Sequence, residues 1–246
     1  YVETPAYWGI SGFPISHSLT PKMFNIVSKY LGLSEVKDIY LEAKTIDEFE
    51  KQVSHLEGNI WLSCTTPIKH LIPKYLQLEM SEDINSINQI TRIKGDWKGV
   101  NTDGVGFLAA CRHIGIEPTY STLRLRGGGS TARSIAEAWA ADGGKIILET
   151  GRREITRGPW DKAIIDSEDA TIAIDLDTKP GGGESIKMNA EIQVSISYDE
   201  DTDYNQFAVI MVAAQHLEAW KELYAPHRKE DLPSLSLLLK ELAITK

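Results

Sequence analysis

The chain has few cysteines, no long apolar run and no excess of positive charge, and each shortage removes a class of function. Among 246 residues, Cys64 and Cys111 are the only cysteines, too few for a disulfide framework or a four-ligand zinc site. No metal site is expected. The longest wholly apolar stretch, Phe207 to Ala214, falls far short of the roughly 20 residues that a membrane-spanning helix needs. Lys plus Arg number 26 against 35 Asp plus Glu, a formal net charge of −9, so the footprint of a nucleic-acid binder is missing. No signal peptide opens the sequence, and Tyr1 rather than Met at its start is consistent with a natural start upstream. What is there is ordinary: 42% hydrophobic and 25% charged residues, the composition of a soluble folded protein. The expectation is a reduced, cytoplasmic protein of one large domain or two small ones.

Hydrophobic patterning favours two. Residues 7–12 read as a strand, followed by the loop Ser16-His17-Ser18-Leu19-Thr20-Pro21. Thr20 is expected to cap a helix with Pro21 at its first position, where a missing amide costs nothing. Met23, Ile26, Val27 and Tyr30 share one face of that helix, and Gly32 stands at its end. A strand over 39–41, a helix over 46–56 and a strand over 60–64 ending in Thr65-Thr66-Pro67 complete a βαβ alternation, which implies a parallel sheet. Strands over 87–93 and 96–100 meet at a tight Lys94-Gly95 turn, and a helix over 104–114 leads to Gly115 and Pro118. A second set follows: strand 122–126, a glycine loop, helix 131–141, strand 145–150 and strand 171–176. Lys179-Pro180-Gly181-Gly182-Gly183 must be loop. Helices over 207–223 and 232–242 close the chain.

Gly127-Gly128-Gly129-Ser130-Thr131-Ala132 matches G-x-G-x-x-A between a strand and a helix. Glycines there permit a tight turn and bring backbone amides at a helix N-terminus close to a pyrophosphate. Arg152 and Arg153 follow the next strand, where an adenosine ribose would lie, and favour a 2′-phosphate and hence NADP. Glu149 is the rival signal for NAD. Against a nucleotide site stands the strand Leu123-Arg124-Leu125-Arg126, which alternates where a buried parallel strand is apolar throughout. Either it lies at an edge or Arg126 reaches toward phosphate.

The first unit holds hydroxyls at Ser16 and Ser18, Lys69 after Thr65-Thr66-Pro67-Ile68, and Asp103 in Asn101-Thr102-Asp103-Gly104. Taken singly, these are a serine-rich helix entry, a solvated lysine and a helix cap. Their order, however, resembles the shikimate dehydrogenase family. Gly12-Phe13-Pro14-Ile15-Ser16-His17-Ser18-Leu19-Thr20-Pro21-Lys22-Met23-Phe24-Asn25 is similar to that family's G-x-P-x-x-H-S-x-S-P-x-x-H-N segment, and Cys64-Thr65-Thr66-Pro67-Ile68-Lys69 to its N-V-T-x-P-x-K. Ile87-Asn88, Gly99-Val100-Asn101-Thr102-Asp103-Gly104, the Gly127 loop and Gly151-Arg152 resemble further motifs of the family, from about Trp8 to Trp220.

The resemblance implies an α/β fold with an N-terminal α/β substrate domain, a Rossmann-like nucleotide domain and C-terminal helices returning to the first. The domains would be 1–104 plus 207–246 for substrate and 105–206 for NADP. It implies reversible reduction of 3-dehydroshikimate with NADPH in aromatic amino-acid biosynthesis, in a monomer or homodimer. By carry-over Ser16 and Ser18 hold the substrate carboxylate, and Thr65, Asn88 and Asp103 the ring hydroxyls. Lys69 and Asp103 are the catalytic pair, and Gly127, Gly128, Gly129, Ser130, Thr131, Arg152 and Arg153 bind the cofactor. Met211, His216 and Trp220 are expected to be core packing, and His17 to fix its loop.

The chain also departs from the family. Ser63 replaces an asparagine, Thr178 stands where a tyrosine is expected, and Val212 occupies the substrate-binding glutamine position, with Gln215 one turn away as the substitute. The short segment between Arg153 and Asp175 implies a trimmed second unit. Rival readings are therefore a dehydrogenase of quinate or another shikimate-like polyol, a non-catalytic sensor of shikimate-pathway ligands, or a diverged member without activity.

Overall fold

A computed structural model of the chain describes residues 3–178, 185–198, 203 and 205–245; the loop expected over 179–183 lies outside them. In chain order the elements are β1 (Tyr7–Gly12), α1 (Thr20–Tyr30), β2 (Lys37–Glu42), α2 (Ile46–Ser54), β3 (Ile60–Cys64), α3 (Ile68–Tyr75), β4 (Gln89–Ile93) and β5 (Asp96–Val100). Then come α4 (Asp103–His113), β6 (Thr122–Arg126), α5 (Ser130–Ala141), β7 (Lys145–Glu149), β8 (Ile172–Asp175), β9 (Ile192–Val194), α6 (Phe207–Ala219) and α7 (Leu235–Ile244). They fall in two compact units, Tyr1–Thr102 with Gln215–Lys246 and Asp103–Tyr198 with Asn205–Ala214. Among the described residues no helix is long and apolar enough to cross a membrane.

The sheet of the first unit runs β2-β1-β3-β4-β5. Its first three strands are parallel, as the βαβ alternation predicts, and β4 and β5 are antiparallel. The reversal is local chemistry. Lys94 and Gly95 both take positive φ, 53° and 90°, the pair of left-handed residues that a two-residue hairpin needs. β3 is buried throughout, so its alternate residues face two cores. Ile60, Leu62 and Cys64 pack with Phe49, Ile68 and Ile72. Trp61 lies 5.1 Å, centroid to centroid, from both Trp220 and Tyr224, and Trp8 stacks on Phe24 at 5.6 Å.

The second unit has an all-parallel sheet, β7-β6-β8-β9, with α4 and α5 packed on one another. It is trimmed as expected: β7 and β8 are joined without an α-helix, through a short turn at Asp161–Ala163 beside the buried Trp160. This economy explains the alternation in Leu123-Arg124-Leu125-Arg126. β6 is an interior strand, which overturns the edge alternative, and Arg124 is buried in it. Irregular chain in place of a helix leaves carbonyls that need donors. Arg124 serves one of them, donating from Nη2 to Glu168 O at 2.8 Å; it also donates from Nε to Asn189 O at 2.7 Å, just before β9, and pairs through Nη1 with Glu149. Arg126 is likewise engaged within the protein, gripping both carboxylate oxygens of Asp175 at 3.0 and 3.1 Å. Arg124→Met should therefore lower unfolding stability by about 3 kcal/mol, read as a shift of the urea midpoint, because it strands a half-buried carboxylate and two carbonyls.

Two elements escape the sequence reading. α3 has Pro73 inside it, which reads as a break. β9 is three residues long with two of them exposed, so no alternation shows.

Candidate functional site

The topology of the first sheet brings the ends of β1, β3 and β5 and the start of β4 to one side, and the polar motifs of this unit cluster there. The loops after β1 and β3 are tied together: Phe13 N donates to Thr66 O at 3.0 Å and Thr65 N to Ser11 O at 2.9 Å. Lys69, shortly after the carboxyl end of β3, sits in the first turn of α3 and is only 9% exposed. Its backbone is fixed at both ends, by Lys69 N to Thr65 O at 3.1 Å and Ile87 N to Lys69 O at 3.0 Å. Asn88 holds the residue before Asp103: its Oδ1 accepts from Thr102 N at 2.8 Å and its Nδ2 donates to Thr102 Oγ1 at 3.1 Å.

The hydroxyl-rich loop differs from expectation at Thr20. Leu19 takes the cap position and Thr20 is already helical, because its side chain is drawn into the core. Thr20 Oγ1 lies 3.0 Å from His216 Nε2, while Thr20 N donates to Ser18 Oγ at 3.2 Å. Ser16 and His17 are exposed, and Ser18, Thr65 and Gln215 are half-buried. His216, expected as core packing, is indeed buried, and burial pushes its imidazole down to about 3.

In the second unit, Asp103 opens α4, and its Oδ2 accepts from Thr131 Oγ1 at 3.1 Å in the first turn of α5. Gly104 N donates to Ser134 Oγ at 2.9 Å, so the starts of the two helices are pinned to each other. Thr131, expected at the cofactor, thus also orients a carboxylate.

The glycine loop divides its work. Gly127 has φ +115°, the left-handed region that favours glycine, and a Cβ there would lie 2.9 Å from Leu176 C. A Cβ on Gly128 would come within 2.2 Å of Glu154 O, so this glycine makes room for the protein's own chain. Gly129 has open space, with nothing nearer than Arg153 Nη1 at 3.7 Å, and it precedes the 12-residue α5. The turn that carries the arginines is built around Asp177, whose carboxylate accepts from the amides of Arg152 and Arg153 and lies 3.5 Å from Arg126 Nη2. Asp175 behind it is held below the usual carboxylate range: burial alone would raise it, but the amides of Asp177 and Ile186 and the Arg126 guanidinium outweigh that. An open glycine, a helix N-terminus and two exposed arginines fit an anionic dinucleotide. Glu149, the rival ribose ligand, is taken by Arg124.

Thr178 is half-buried after β8. A tyrosine does occur after β9, at Tyr198, in Ser195-Ile196-Ser197-Tyr198; Ser195 and Ser197 line a cavity of about 360 Å³ with Val194 and Phe207.

No protein-family model matches the chain. In sequence it is similar to the shikimate dehydrogenase (NADP(+)) of Alkaliphilus metalliredigens, 33% identical over 149 residues, 58% of this chain and 51% of the relative. It is also similar to that of Methanosarcina barkeri, 33% identical over 147 residues, 57% of this chain and 52% of the relative. The chain thus matches these curated relatives over about half their length. In structure it is similar to shikimate 5-dehydrogenase from Thermus thermophilus in complex with NADP(H) and shikimate, with a TM-score of 0.74 at 19% identity over 97% of this chain and 98% of that one. It is also similar to 5-ketofructose reductase of Gluconobacter sp. strain CHM43, with a TM-score of 0.66 at 16% identity over 99% of each chain. The fold of this chain is that of the shikimate dehydrogenases.

Proposed function

We propose that this chain is an NADP-dependent oxidoreductase that interconverts shikimate and 3-dehydroshikimate in aromatic amino-acid biosynthesis. The observation that carries the reading is Lys69, a lysine kept 9% exposed in the first turn of a helix, where the helix dipole disfavours a cation. In this reading the first unit holds substrate and the second the nucleotide. Ser16 and Ser18 take the substrate carboxylate, Thr65 and Asn88 take ring hydroxyls, and Gln215 stands in for the glutamine replaced at Val212. Bound NADPH supplies the hydride to the carbonyl carbon. Lys69 gives a proton to the carbonyl oxygen as negative charge grows there, and takes it back in the reverse direction. Asp103, oriented by Thr131, aligns the reacting hydroxyl. Gly127, Gly128, Gly129 and Ser130 shape the turn before α5 for the phosphates, and Arg152 and Arg153 select the 2′-phosphate. The reading places a small-molecule enzyme in the cytoplasm as a monomer or homodimer.

Val212 at the glutamine position favours a second reading, a dehydrogenase of quinate or another shikimate-like polyol. The test is NADPH formation on mixing the purified protein with NADP and shikimate, with quinate and NAD as parallel arms. Turnover is expected with shikimate and NADP; faster turnover with quinate selects the second reading. Silence in every arm from folded protein overturns both, and thermal stabilisation by shikimate alone would then identify a sensor.

A further inference from the structure

A buried polar chain crosses the aromatic core of the first unit and ends at Thr20, beside Ser18. Tyr224, itself buried, donates its hydroxyl to Gln89 Oε1 at 2.8 Å. Ser63 donates to the same oxygen at 2.7 Å, and its Oγ lies 3.4 Å from His216 Nε2. The other neighbour of Nε2 is Thr20 Oγ1 at 3.0 Å. His216 is 2% exposed, with Phe24 edge-on at 5.3 Å, and its Nδ1 is buried without a hydrogen-bond partner among the described residues.

The protons along this chain have one economical arrangement. The Ser63 proton is committed to Gln89, so toward His216 the serine can only accept, and Nε2 must carry a proton. Placing the proton on Nδ1 instead would bury an unpartnered donor, whereas the Nε2–H form leaves only an unpartnered lone pair. Burial keeps the ring from holding both protons. Thr20 Oγ1 therefore accepts from His216, and the threonine's own proton is turned away from the core. Ser18 Oγ is filled in the same sense by Thr20 N, which leaves its proton as a donor too. The result is two hydroxyl protons, spaced i and i+2, with their acceptor sides already occupied: a donor pair suited to an anion.

We propose that His216 is a positioning residue which, as its Nε2–H tautomer, orients the Thr20 and Ser18 hydroxyls toward the carboxylate of the substrate. The assignment rests on the proposed function for the identity of that anion. It gives Ser63 a role as well, since its proton direction sets that of the histidine.

The first test needs no substrate. Nitrogen-15 NMR of the histidine-labelled protein should show His216 protonated at Nε2 alone at neutral pH; an Nδ1–H tautomer or an imidazolium overturns the proposal. The second test is kinetic. His216→Leu should raise KM for shikimate about tenfold with kcat within about twofold, as expected for loss of one charge-assisted contact made equally in ground and transition states. His216→Gln, which keeps an N–H near the Nε2 position, should restore KM, and shikimate methyl ester, which lacks the carboxylate charge, should bind both variants alike. Equal losses for acid and ester, or an unchanged KM in folded His216→Leu, reject the proposal. Should the leucine variant fail to fold, Thr20→Val against Thr20→Ser makes the same comparison, with loss expected for valine and rescue for serine. If wild-type protein turns over no shikimate, the dehydrogenase reading fails, while the tautomer still decides the proton direction on its own.

Discussion

Lys69→Met is expected to reduce kcat for shikimate oxidation by about 10²–10⁴-fold, the range for loss of a positioned general acid–base group, while leaving the melting temperature unchanged or higher. The two halves of this expectation have different origins. Methionine matches the length of the lysine stem, so the packing around a 9% exposed side chain persists, and a buried ammonium is exchanged for an apolar thioether. The first turn of α3 also lies at the positive end of the helix dipole, so removal of a cation there relieves a local repulsion. Loss of a lysine kept only for structure would lower stability instead. The pairing of lost turnover with retained or improved stability therefore separates a functional lysine from a packing one. Turnover within about tenfold of wild type in the folded variant would remove Lys69 from the mechanism. Steady-state kinetics and a melting curve on the same sample give both numbers.

The legible parts of this protein were those in which a short segment determines its own geometry. Lys94-Gly95 fixed a hairpin, the apolar run of β3 fixed a central strand, and Gly127 with its flanking strand and helix fixed a turn. The parts that resisted depend on partners distant in sequence. Arg124 looked like a fault in a buried strand because the carbonyls that it satisfies, at Glu168 and Asn189, lie 44 and 65 residues away. Nothing near Glu149 discloses that Arg124 occupies it, although that pairing bears on the choice between NAD and NADP. Thr20 read as a helix cap, since that is what a threonine before proline does locally; a histidine 196 residues later drew it inward instead. α3 was hidden by its own Pro73. The candidate site has the same division: its motifs are local, and the contacts that orient their side chains are not.

The cofactor side yields the second large effect. Arg152→Ala with Arg153→Ala is expected to raise the dissociation constant for NADP by about 10–100-fold and to leave that for NAD within about threefold, because only NADP carries the 2′-phosphate that paired guanidinium groups would grip. The backbone of the turn should survive the change, since Asp177 holds it through the amides of residues 152 and 153 and not through their side chains. The two arginines should not contribute equally. Arg152 Nε is 3.9 Å from Asp177 Oδ1, so part of its charge is already balanced within the protein. Arg153 lays its Nη1 3.7 Å from the point where a side chain on Gly129 would begin, over the one open position of the glycine loop. Arg153→Ala alone should therefore cost more than Arg152→Ala alone. Both arginines are exposed, so the NADP advantage should also shrink as salt is raised, as screened surface charges require. Titration of each variant with NADP and NAD at low and high salt decides the matter. Equal losses for the two nucleotides would mean that the arginines shape the turn rather than read the phosphate, and no loss for either would move the 2′-phosphate contact away from this turn.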